Sequence, residues 1–182
     1  MRRLRVISGV AGSLPLAGPP AGVRPTSERV RETLFASLGS EVEGRPFVDM
    51  YAGCGAVGIE ALSRGADRCL FVERSIRCVA VIKENLRRTG LVERATVWRA
   101  DVERVLAKVI QWIEDQPAII FLDPPYAVRR VGEVIRGLLG DSRLPKGTVV
   151  ILEHSSSYSC TSVKEPCWQR QVGQSCLSRW EA

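Results

Sequence analysis

From Pro46 onward the 182-residue chain alternates short runs rich in β-branched and aromatic residues with longer segments of helical spacing, and no other feature constrains its fold as much. Strands are predicted over Phe47 to Met50, Cys69 to Glu73, Thr96 to Asp101, Ile119 to Asp123 and Thr148 to Glu153. Helices are predicted between them, near Val57 to Arg64, Ile76 to Thr89, Val102 to Ile113 and Val131 to Leu139, with Gly65, Gly90 and Gly140 placed as C-terminal stops. A helix between two strands carries the chain back to its starting edge, so the strands run parallel. Repeated along the chain, this predicts a doubly wound, mostly parallel α/β sheet of Rossmann-like type.

The flanks differ from this pattern. Residues 1–22 are rich in Gly, Pro and Arg around a short Leu4-Val6-Ile7 patch, which reads as an extension or small hairpin, separate from a domain over 23–182. Thr26 or Ser27 can cap a helix to about Leu38, with Val30, Leu34 and Leu38 on one face and Gly39 as its stop. Near the C-terminus, Trp168 to Val172 and Cys176 to Trp180, separated by Gly173-Gln174-Ser175, predict an antiparallel hairpin at the sheet edge; disorder is the competing reading of this Ser- and Cys-rich tail.

Composition narrows the function classes. No stretch approaches the roughly 20 apolar residues of a membrane-spanning helix, so a soluble protein is expected. Met1-Arg2-Arg3-Leu4-Arg5 imitates the start of a secretory signal, but Gly9, Gly12, Ser13 and Pro15 interrupt its apolar region, and a cytoplasmic enzyme is the expectation. The six cysteines include no CxxC pair, which argues against zinc, and they suit a reducing compartment. The net charge of +6 favours a polyanionic partner. All but Lys83, Lys108, Lys146 and Lys164 of the 26 basic residues are Arg, which suits phosphate and base edges but also follows from a GC-rich coding bias.

Two motifs carry chemistry. In Asp49-Met50-Tyr51-Ala52-Gly53-Cys54-Gly55-Ala56-Val57-Gly58, a strand gives way to a helix, and Gly53 and Gly55 let backbone approach a ligand. The spacing also satisfies the dinucleotide fingerprint, with Glu73 where its ribose-binding acid belongs, so a nicotinamide-binding protein is a rival. Asp49 argues against it, because a pyrophosphate would meet a negative charge, whereas the cationic amino group of S-adenosylmethionine would be attracted. Glu73 and Asp101, ending the next two strands, can accept hydrogen bonds from ribose hydroxyls and the adenine amino group; helix caps or solvated strand ends are the plainer readings.

The second motif, Asp123-Pro124-Pro125-Tyr126, follows the apolar run 118–122 and is more specific. An exocyclic amine on a nucleobase is a poor nucleophile, because its lone pair is delocalised into the ring. Asp123 can accept one amine hydrogen bond and the Pro124 carbonyl another, on a backbone stiffened by Pro124 and Pro125, which orients the lone pair. Tyr126 is placed to stack on an extruded base. Arg24-Pro25-Thr26 could close over a cofactor or meet substrate phosphate, although an ordinary cap by Thr26 explains it equally well. His154 invites a general-base role, but a satisfied structural His is the commoner case. Arg129-Arg130 reads equally as a phosphate contact and as a solvated helix start.

Together these residues resemble the RsmD-type guanine-N2 methyltransferases of bacterial small-subunit ribosomal RNA. The resemblance rests on Arg24-Pro25-Thr26, on Glu28 through Glu32, on Asp49 through Gly58 running into Glu60-Ala61-Leu62-Ser63-Arg64-Gly65-Ala66, on Ile120 through Tyr126 and on Glu153-His154. It implies an S-adenosylmethionine-dependent methyltransferase fold, a guanine in small-subunit ribosomal RNA as substrate, presented in an assembled or assembling 30S particle, and S-adenosylmethionine as donor. It also implies Asp123, Pro124, Pro125 and Tyr126 as the catalytic loop, and Asp49, Gly53, Gly55, Glu73 and Asp101 as cofactor positions, beside which Thr26 is a further candidate. A monomer without metal is expected. The chain departs from the family at Gly12-Ser13-Leu14-Pro15-Leu16, where basic residues are usual, and at Val172-Gly173, in place of an aromatic-glycine pair. Adenine-N6 methylation of DNA, by the same amine chemistry, and nucleic-acid binding without catalysis are the alternatives.

Overall fold

The computed structural model describes residues 4–23, 25–114, 116–125, 130–156 and 164–182. Helix α1 spans Glu28–Leu38; strand β1, Phe47–Met50; α2, Ala56–Ser63; β2, Cys69–Glu73; α3, Ile76–Thr89; β3, Ala95–Arg99; α4, Leu106–Ile113; β4, Ile119–Leu122; α5, Val131–Leu139; β5, Val149–Ser155; β6, Trp168–Val172; and β7, Ser175–Glu181. They form one seven-stranded sheet in the order β3-β2-β1-β4-β5-β7-β6. β1 to β5 are mutually parallel, while β7 runs antiparallel to both β5 and β6. The expected doubly wound sheet and C-terminal hairpin are both present.

Parallel strands covered on both faces must be apolar throughout, and β1, β2, β4 and most of β5 are buried at every position. Alternate side chains feed two cores. Phe47, Phe71, Phe121 and Ile151 pack with α1, α2 and α3, whereas Val48, Leu70, Ile120 and Leu152 pack with α4 and α5. The molecule is therefore three layers, helix on sheet on helix.

Local chemistry fixes the element ends. Ser27, not Thr26, caps α1 by accepting from Val30 N–H at 3.2 Å. Ser75 caps α3, which stops at Gly90 with φ 69, a left-handed value. Gly140 does not stop α5 in that way, because its φ of −89 is open to any residue. The helix predicted from Val102 is split: a 3-10 turn covers Val102–Arg104, Val105 at φ −121 breaks the run, and α4 begins at Leu106. β3 ends at Arg99, short of Asp101, and β4 at Leu122, short of Asp123. β5 reaches Ser155 because β7 pairs along its whole length, and the hairpin closes through Gly173-Gln174 alone, with Gly173 at φ 64.

The N-terminal segment folds back on itself, with Arg5 bridged to Pro15, and it is part of the core, not separate from it. Val6, Ala11 and Leu16 are buried against the α1–α3 layer. Its dock is α2. Glu60, fully buried, accepts Ile7 N–H at 2.7 Å, Ser8 N–H at 3.0 Å, Arg64 Nε at 2.7 Å and Arg31 NH1 at 3.3 Å. Ser63 accepts from Val10 N–H through its carbonyl and from Ala11 N–H through its hydroxyl. Asn85 of α3 then clasps Ala17 through both N–H and carbonyl and also holds the Cys54 carbonyl. The Glu60-to-Ala66 run singled out by resemblance is, in physical terms, an anchor for this arm.

Candidate active site

The chain moves outward from β1 to β2 and β3, then returns to place β4 on the other side of β1, so connections diverge between β1 and β4. Crevices for ligands open at such a switch point, outside the carboxyl ends of the strands. Both sequence motifs follow these two strands, and a cleft of about 400 Å³ opens between them.

Asp49, Glu73, Asp123 and Glu153 each stand two residues beyond a side chain of the α1–α3 core (Phe47, Phe71, Phe121 and Ile151), so all four fall on that face. Their order across the sheet is Glu73, Asp49, Asp123, Glu153, with Asp49 one same-face step deeper than its neighbours. All four line the cleft. The structure thus gathers a row of carboxylates inside a protein of net charge +6.

Asp49 is buried and accepts Gly58 N–H at 2.9 Å with Oδ2. Burial pushes its pKa well above the usual carboxylate range, and the nearby charges of Asp123 and Glu73 push the same way, against the Gly58 hydrogen bond. Its carboxylate occupies the place at the start of α2 where a dinucleotide fold receives pyrophosphate, so the glycine turn is not an anion cradle. Glu73 splits its carboxylate between Gly53 N–H at 2.9 Å and Ser75 N–H at 2.7 Å, which fixes the glycine turn to the end of β2.

The three glycines of the turn have separate reasons. Gly53 and Gly55 take φ of 57 and 78, in the left-handed region. Gly58 has an ordinary φ, but a Cβ there would stand 2.4 Å from the Phe71 ring, so it lets α2 pack tightly on β2. Tyr51, a bulky residue at φ 61, is strained by the same tight turn. Its hydroxyl is buried without a hydrogen-bond partner among the described residues, and burial raises its pKa. Burial likewise pushes the Cys54 thiol up to about 11, which keeps it protonated.

Thr26 enters from the segment before α1 and donates its hydroxyl to Asp123 Oδ2 at 2.7 Å. With Ser27 taking the cap, Thr26 is released for this contact; nothing in a linear reading joins positions 97 apart. Pro124 and Pro125 line the cleft beside Asp123. Tyr126, Arg24 and Arg129 lie outside the described residues. Asp101 borders the cleft, but its side chain is 42% exposed and lies 3.9 Å from Arg104, so it is more solvated than the buried Asp49 and Glu73. Arg130 is exposed and 3.7 Å from Glu133 at the start of α5.

At the far end of the row, Glu153 Oε1 accepts from the Ser175 hydroxyl at 2.8 Å. His154 has Nδ1 on the Ser155 carbonyl and Nε2 on the Ser178 hydroxyl, each at 2.8 Å. Since a carbonyl only accepts, Nδ1 carries the proton and Nε2 receives the hydroxyl hydrogen in the neutral ring. This is the arrangement of a structural His. Cys54, Cys69, Cys78, Cys167 and Cys176 are free thiols. No helix among the described residues is long and apolar enough to cross a membrane.

The family model described as "Conserved hypothetical protein 95" matches residues 4–180. The chain is 35% identical over 152 residues to the putative rRNA methyltransferase YlbH of Bacillus subtilis, covering 83% of this chain and 82% of that protein. It is 30% identical over 156 residues to the ribosomal RNA small subunit methyltransferase D of Escherichia coli, covering 83% and 74%. A hypothetical protein of Thermus thermophilus, solved as a structure, superposes with a TM-score of 0.83 at 32% identity, covering 98% of this chain and 99% of that one. The matched span takes in the docked arm, both loops of the cleft and the terminal hairpin, and by it the chain belongs to the RsmD-type family that this model describes.

Proposed function

We propose that this protein methylates the exocyclic N2 amine of a guanine in small-subunit ribosomal RNA, with S-adenosylmethionine as donor. The observation that carries the reading is the row of carboxylates at the switch point, which joins a cation-seeking cofactor half to an amine-holding half in one cleft. The residues fit the cofactor. Asp49, its pKa raised by burial, faces its amino group; Gly53 and Gly55 admit it closely; Glu73 meets the ribose hydroxyls, Asp101 the adenine amine, and Thr26 closes the rim. When bound, S-adenosylmethionine supplies a methyl group on a positively charged sulfur, which leaves as a neutral thioether with the bonding electron pair.

The chain's own residues prepare the amine. Asp123, its Oδ2 fixed by Thr26, and the Pro124 carbonyl accept the two amine hydrogens and turn the nitrogen lone pair outward, and Tyr126 stacks on the base. Pro125 stiffens the loop. As the new N–C bond forms, positive charge grows on nitrogen beside Asp123, and the surplus amine proton departs through that hydrogen bond to solvent. Residues 1–22 serve as an arm on a methyltransferase domain of residues 23–182, which works as a cytoplasmic monomer on an assembling or assembled 30S particle. The test is transfer of labelled methyl to small subunits that lack their native base methylations, followed by nucleoside analysis. Label in N2-methylguanosine is expected; label in N6-methyladenosine, or none, overturns the reading.

A further inference from the structure

We infer that Glu153 selects guanine by accepting the N1–H of the base whose amine Asp123 holds. The inference rests on the proposed N2 chemistry and adds the group that sets its specificity. Asp123 and Glu153 stand one residue past the Leu122–Leu152 register pair of two adjacent parallel strands, on the same face. Strands lie about 4.8 Å apart, so the two carboxylates present neighbouring acceptors at one edge of the cleft. Glu153 is on the side away from Glu73 and Asp49, the end left for the substrate once the cofactor lies over β2 and β1.

Guanine's Watson–Crick edge offers N2–H₂ and, next to it, N1–H: donors side by side. Adenine and cytosine pair their amines with a ring nitrogen that only accepts. A carboxylate beside Asp123 therefore complements guanine and sets lone pair against lone pair for the other two. Glu153 is 9% exposed, and Ser175 pins its Oε1, so the acceptor has little freedom to swing away from a wrong base. Sites built to meet a substrate hydrogen-bonding group reject analogues that lack it by large factors. Accepting N1–H also pushes electron density into the ring toward N2, in the direction that makes the amine a better nucleophile.

The test compares guanine with 2-aminopurine, which keeps the 2-amine but carries a bare lone pair at N1. Once the wild-type target nucleotide is mapped, small-subunit RNA with either base there is assembled into particles and kcat/KM is measured for wild type and Glu153→Gln. Wild type is expected to prefer guanine by on the order of 100-fold. In Glu153→Gln the preference is expected to shrink at least about tenfold, because the carboxamide can turn N–H toward the N1 lone pair. The ratio between enzymes cancels any intrinsic difference in amine reactivity. Equal losses on both bases, leaving the preference unchanged, make Glu153 a structural residue and overturn the inference. Wild type that methylates guanine and 2-aminopurine alike overturns it without need of the variant, whether or not that variant folds. Failure of wild type on guanine itself brings down the N2 reading first, and the two failures are thereby told apart.

Discussion

Burial makes the charged form of Asp49 costly, and the neighbouring charges of Asp123 and Glu73 add to that cost. A carboxyl whose folded pKa is raised binds more protons folded than unfolded between its ordinary value and the raised one, so its contribution to stability falls as pH rises through that window. Asp49→Asn keeps an acceptor for Gly58 and removes the titration. Its unfolding free energy without cofactor is expected to exceed that of wild type at neutral pH, with the advantage vanishing below about pH 4; denaturant melts across pH measure this, and parallel curves would exclude it. Cofactor affinity should drop in the same variant, and in wild type it should tighten with rising pH as the charged form becomes available. Asp123→Ala should behave differently. Methyl transfer is expected to fall at least about 100-fold while cofactor affinity changes little, a split read by single-turnover rates against calorimetric binding.

At the scale of elements, α2 serves two ends: its first turn abuts the cleft, and its last turn holds the arm. Glu60→Ala would leave the buried Arg31 without its carboxylate and Ile7 and Ser8 N–H without an acceptor, at a cost of about 3–5 kcal/mol; equilibrium unfolding checks it. Gly9→Ala separates the arm from the core. At φ 83 its Cβ would fall 1.9 Å from the Ser63 carbonyl, so trypsin cleavage after Arg5 is expected to quicken, and stability to fall as Val6, Ala11 and Leu16 leave the core. Most elements were legible from periodicity, since strands buried on both faces and capped helices leave strong local signals. The dock was not read as one, although the signal was there: Glu60 sits in a helix whose every residue is buried, and a carboxylate in such company must have partners. The Thr26–Asp123 contact had no local trace, because only the crossing of α1's entry with the end of β4 creates it. Val105's break in the fourth helix was equally silent, since it joins a 3-10 turn to α4 within a run of helical spacing.

Over the whole molecule, charge is divided between a basic exterior and an acidic cleft, so the two ligands should respond differently to salt. Affinity for ribosomal RNA is expected to fall at least about tenfold from 50 to 200 mM salt, the loss set by two or more phosphate contacts, while cofactor affinity stays within about twofold. Filter binding and calorimetry over the same range test this, and equal salt slopes would contradict it. The fold class, the cleft and its acids Asp49, Glu73 and Asp123 could be anticipated because parallel topology alone brings strand ends together. Their left-to-right order could not, since it depends on which side of β1 the chain returns to.

The arm's attachment has a consequence in time. Its partners are Glu60, Ser63 and Asn85, the last 68 residues from Ala17. During synthesis the arm therefore leaves the ribosome before any of these residues exists in folded form, and its hairpin must wait undocked until α2 and α3 have been made. Docking of the arm thus follows α2 and α3, and it buries Val6, Ala11 and Leu16 in a core laid down after them.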